Sequence, residues 1–162
     1  MKKLMLSLAV ALMATIAGNA AGKTVELDLS SVSIIDYECG FSPTFSGATT
    51  LTVIKEAGDE MEVELAVPMQ QDDVVNVKNV NYLEASLSFW DKDENSVKLD
   101  PLPFDMSQVP ELVKFLGTKA DENNNVKMFK FKGTISKADW KAYNAAESHF
   151  LNVINVSITK RK

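Results

Sequence analysis

The sequence predicts a mainly β protein, an antiparallel β-sandwich of about eight or nine short strands with two short helices. Three observations carry that prediction. Apolar and polar side chains alternate over several short stretches. Polar turn-forming clusters separate those stretches. Only two segments show helical spacing. A small closed β-barrel is the alternative architecture.

The clearest element is Tyr82–Leu99, a hairpin. Leu83, Ala85, Leu87 and Phe89 alternate with Glu84, Ser86 and Ser88. Successive side chains of a strand point to opposite faces, so one face is apolar and the other wet. The run Asp91–Ser96 is rich in turn formers, and Val97 and Leu99 resume the pattern. A hairpin cannot cover its own apolar face, so a second layer must.

The other elements follow in order. Val25, Leu27 and Leu29 mark a first strand, and Val32–Glu38 a second. Gly40–Gly47 reads as a loop around Pro43. Thr49–Lys55 is β-branched and strand-like, and Ala57–Glu60 turns the chain. Met61, Val63, Leu65 and Val67 alternate with Glu62, Glu64 and Ala66; Pro68, which lacks the N–H a ladder needs, ends the strand or marks a sheet edge. Val74–Val80 is strand-like, with a bend at Asn79–Asn81. Ser107 is placed to cap a helix that carries Pro110 in its first turn and ends at Gly117. Asp121–Asn125 is a polar turn before a strand over Val126–Ile135. Ser136 and Asp139 resemble a capping box opening a helix to about Ser148. Leu151–Thr159 is the last strand, with a parity change between Val153 and Ile154 that predicts a bulge.

Residues 1–21 read as a secretory signal peptide: Met-Lys-Lys, an apolar run from Leu4 to Ala17, then small residues up to Ala21. The run is too short for a comfortable membrane span. Residues 22–162 form one domain, expected in the periplasm or outside the cell, without a transmembrane segment. The full chain has a formal net charge of −5; without Lys2 and Lys3 it is −7. Such a surface repels phosphate backbones, which argues against nucleic acid as partner. Cys39, the only cysteine, cannot form a disulfide within the chain. A buried thiol is the favoured reading, with a bridge to another chain and a reactive thiol as alternatives.

Four groups could carry chemistry. Asp91, Asp93 and Asn95 have the spacing of the first ligands of a calcium loop, although Ser96 and Leu102 stand where such a loop needs glycine and glutamate. A hydrated turn is the simpler reading. Asp121, Asn123 and Asn125 repeat that spacing. Trp90, Tyr82 and Glu84 share the wet strand face, where an aromatic ring can stack on a sugar. The simpler reading is that Trp90 closes the end of the core and Tyr82 packs under a loop, since large aromatics are mostly buried. Tyr82 and Trp90 stand on the order of 26 Å apart along an extended strand, so one small ligand cannot touch both. Glu62 and Glu64 face one way, as a carboxylate-based hydrolase would need, and as any solvent-facing strand side would show. Trp140 and Tyr143 share a helix face that could dock the helix or meet a partner.

Three functions are therefore open. The first is a non-enzymatic binding module of the bacterial cell envelope, recognising protein or carbohydrate through loops or a strand edge. The second is a carboxylate hydrolase of an envelope or dietary polymer. The third is an assembly subunit that pairs strands with a partner. Two close carboxylates with a raised pKa would favour the hydrolase, and a long unpaired edge would favour assembly. A shallow aromatic-lined depression would favour ligand binding.

Overall fold

A computed structural model describes residues 20–29, 33–35, 43–45, 47–70, 73–119 and 126–162. Most of the expected leader, Cys39 and residues 121–125 lie outside the described residues, as does most of the second expected strand.

The architecture is a β-sandwich of two five-stranded sheets. The first holds β1 (Thr24–Leu27), β3 (Thr44–Phe45), β4 (Thr49–Ala57), β5 (Glu60–Gln70) and β9 (Lys127–Ser136). Met69 of β5 pairs with both Phe45 and Lys127, so β3 continues the line of β4 on one side of β5 while β9 lies on the other. The second sheet holds β2 (Ser33–Ile35), β6 (Val77–Trp90), β7 (Ser96–Lys98), β8 (Leu102–Pro103) and β10 (Ser148–Lys160). Neighbouring strands are antiparallel except β2, which runs parallel to β10.

The odd-numbered side chains from 83 to 89 face the core: Leu83, Ala85, Leu87 and Phe89 are all buried. They meet Leu65, Val67, Phe129 and Phe131 of the facing sheet in one cluster. Two helices close the ends of the sandwich. Helix α1 (Val109–Leu116) buries Leu112, Phe115 and Leu116, with Phe115 edge-on to Phe129 at 5.1 Å. Helix α2 (Lys137–Ala145) buries Trp140 and Tyr143, and Tyr143 meets Phe89 edge-on at 5.6 Å. The Trp140–Tyr143 pair thus docks α2 onto the sheets. No helix among the described residues is long and apolar enough to cross a membrane.

The sandwich corners touch without closing into a barrel. Single bridges join Asp28 to Phe150 and Phe104 to Phe131. At the second corner Asp105 donates its N–H to the Lys130 carbonyl at 2.9 Å, and Gln108 Oε1 accepts from the Lys130 N–H at 3.2 Å. The segment Phe104–Gln108 therefore occupies part of the outer edge of β9, a position otherwise open to another strand.

Several boundaries differ from the sequence reading, for local physical reasons. Pro68 does not end β5. It is buried inside the strand and pairs with Met128. On the other side of β5 the partner line breaks between Phe45 and Thr49, opposite Pro68, so a missing donor is tolerated there. The Asn79–Asn81 bend is a register shift within a continuous β6. The predicted bulge in β10 falls between Leu151 and Val153, one residue early. Asp105, not Ser107, caps the turn leading into α1: its carboxylate accepts from the Ser107 N–H at 3.1 Å. Ser136 does cap α2, accepting from the Asp139 N–H at 3.0 Å. That helix stops at Ala145, because β10 takes over from Ser148.

Candidate functional site

Trp90 is the last residue of β6, and its side chain is 51% exposed. Its even position puts it on the outward face, and the strand ends there because the Asp91–Asn95 turn begins. Phe150 of β10 holds one side of the indole, with ring centroids 6.1 Å apart at 52°. Phe150 comes close because β10 pairs with β6 in the register Ser148 to Trp90 and Phe150 to Ser88.

Beside Trp90 lies an open depression of about 350 Å³. The turn contributes Asp91, Lys92 and Glu94, and the link from α2 to β10 contributes Ala145, Ala146, Glu147 and Ser148. Both walls are held in place. Asp91 Oδ1 accepts from the N–H groups of Asp93 and Asn95, each at 2.9 Å, and Asn95 Nδ2 reaches both Asp91 oxygens at 3.3 Å. These bonds hold the Asp91 carboxyl below its ordinary range, with the Asn95 backbone bond the largest cause. On the other wall, the Tyr143 carbonyl accepts from the Ala146 N–H at 3.2 Å and is bonded to His149 Nε2.

Of the expected calcium ligands, the Asp91 carboxylate is thus engaged by the Asp93 and Asn95 N–H groups and the Asn95 amide. Asp91 spends its oxygens on folding the turn. No group of three or more His, Cys, Asp or Glu side chains suited to a metal occurs among the described residues. Tyr82 and Glu84 stand on the same strand face, eight and six residues before Trp90 in mid-strand. Tyr82 is 48% exposed, and its hydroxyl bonds to Glu84, which raises the Tyr82 pKa above its ordinary value. Glu84 also accepts from Asn155 Nδ2 at 2.9 Å. Trp90 and Asp91 therefore belong to one site, while Tyr82 and Glu84 form a separate pair.

Glu62 and Glu64 of β5 line the outer face of the other sheet and are paired there with lysines. Glu62 lies 3.9 Å from Lys55, and Glu64 lies 2.9 Å from Lys130 and 3.9 Å from Lys132. The carboxyls of Glu56, Asp91 and Asp105 have shifted pKa values, and all three move downward. A general acid needs the opposite shift.

Sequence reasoning missed Phe150, Glu147 and the Ala145–Ser148 wall. They lie more than fifty residues from Trp90 in the chain, and no local signal marks them. Lys92 and Glu94 could have been found by adjacency. No protein-family model, no curated protein and no solved structure matches this chain.

Proposed function

We propose that this chain is an exported, non-enzymatic binding module of the bacterial cell envelope that holds a sugar unit of a glycan in the depression beside Trp90. The observation that carries the reading is the half-exposed indole, braced by Phe150 and set between two turns at one end of the sandwich. An exposed, fixed ring gives a stacking face at low entropic cost, and the polar turns supply orienting groups. Loops positioned by a rigid scaffold are where binding residues concentrate. Export is supported by the basic start and apolar run of residues 1–21.

The other two readings have less support. The shifted carboxyls move away from the range of a general acid. The long strand β9 has part of its outer edge occupied by Phe104–Gln108. A glycan array probed with residues 22–162, followed by titration of each hit, tests the proposal. Trp90→Ala should abolish binding, and Tyr82→Ala should leave it intact. Retained affinity in Trp90→Ala would remove the site.

A further inference from the structure

The depression beside Trp90 has an electrical character that stacking of a neutral sugar does not require. Three carboxylates, Asp91, Glu94 and Glu147, line it against one ammonium, Lys92. Several outward carboxylates elsewhere are paired: Glu56 with Lys137, Glu62 with Lys55, Glu64 with Lys130, and Glu111 with Lys127. Glu94 and Glu147 have no ion pair or side-chain hydrogen bond among the described residues.

Two features independent of these side chains point the same way. Ala145 and Ala146 place the C-terminal end of α2 at the rim. The aligned peptide dipoles of a helix put partial negative charge at that end, which favours a cation. The exposed ring of Trp90 is the second. An indole face carries negative quadrupole potential and is the strongest of the aromatic side chains at attracting an ammonium group.

We propose that the ligand is cationic: a glycan unit with a free amine, its ring lying on Trp90 and its ammonium directed to Glu94 and Glu147. This rests on the reading of the Trp90 depression as the binding site and names the class of sugar it selects. A pyranose ring has the flat face to lie on the exposed indole, and its amine substituent would point into the depression that both carboxylates line. The stem of a lysine side chain covers only a strip of that surface. The site thus combines stacking, which any sugar can use, with charge, which selects the amine-bearing one.

The chain reports on the site directly. Trp90 is half exposed and Trp140 is 3% exposed, so a ligand on the site quenches the solvent-exposed part of the indole emission and spares the buried part. The probes are a glucosamine oligomer, the same oligomer fully N-acetylated, and a lysine-containing peptide of matched charge, each at low and at moderate salt. The expected result is quenching by the free-amine oligomer at a Kd about tenfold below that of the acetylated one, with the preference shrinking as salt rises. Glu94→Gln combined with Glu147→Gln should erase the tenfold preference. Both side chains are exposed, and the replacements keep their size, so the fold is retained. Equal affinity for the two oligomers overturns the cationic inference and leaves the sugar-site reading standing. Quenching by the lysine peptide alone overturns the choice of an amino sugar. No change in the exposed emission with any probe overturns both.

Discussion

Asn152 donates from Nδ2 to Ser88 Oγ at 2.6 Å and so buries a serine on the outward face of the central strand. The bond exists because the bulge at Asn152 takes one residue of β10 out of register and turns its amide toward β6. It lies two pairs along the ladder from Trp90, between the strand that carries the indole and the strand that braces it.

Ser88→Ala should therefore destabilise the fold by about 1–2 kcal/mol, since it leaves a partly buried amide without its acceptor. Asn152→Ala should cost a similar amount. The double variant should cost less than the two effects added together, because the pair is one interaction. Urea unfolding of the four proteins measures the coupling.

Gly133 marks the corner where Leu102 packs on β9. A Cβ at this position would stand 2.6 Å from Leu102 Cδ2, and Leu102 is itself buried. Gly133→Ala should cost about 1–3 kcal/mol through overpacking. Leu102→Ala alone should cost about 2–5 kcal/mol by leaving a cavity. Combined, the added methyl enters the vacated space, so the total should fall below the sum in a denaturation series.

The Tyr143 hydroxyl is buried and has no hydrogen-bond partner among the described residues, and burial pushes its pKa up. Removing a buried, unpaired hydroxyl removes a desolvation cost and keeps the ring contacts with Phe89 and Trp140. Tyr143→Phe should leave stability unchanged or raise it by up to about 1 kcal/mol. A loss beyond about 1 kcal/mol on thermal unfolding would mean that the hydroxyl has a partner.

His149 is half-buried, and desolvation lowers its pKa below the ordinary histidine value, opposed in part by the bond to the Tyr143 carbonyl. Its folded pKa lies below its unfolded one, so its neutral form contributes stability at pH above the unfolded value. That contribution is lost as pH falls through the folded value. Unfolding midpoints should decline from pH 7.5 toward 5, and His149→Gln should flatten that slope. A proton NMR titration of the single imidazole gives the pKa directly.

Asp91 organises the turn below Trp90 through the bonds it accepts from Asp93 and Asn95. Asp91→Ala should destabilise the hairpin by about 1 kcal/mol, as loss of a comparable side-chain cap does. Because these oxygens are already engaged, millimolar calcium should leave the thermal midpoint of the protein where a chelator leaves it. A rise with calcium would show that the Asp91, Asp93 and Asn95 spacing does bind the ion.

The sequence by itself determined which side chains of β5 and β6 face inward, since two-residue alternation is a property of each strand alone. It determined the hairpin at Asp91–Ser96 and the Ser136 cap of α2 for the same reason: those interactions span a few residues. It placed Trp90 on the outer face. Tertiary structure decided what Trp90 meets. Phe150, Glu147 and the end of α2 reach it only through the pairing of β10 with β6, a contact between segments some sixty residues apart. It also decided that Pro68 stays within its strand, because the neighbouring line breaks opposite it, and that Asp105 caps the turn before α1, because β9 holds that segment at the corner. Each of these depends on where a distant strand lies, and local periodicity carries no record of that.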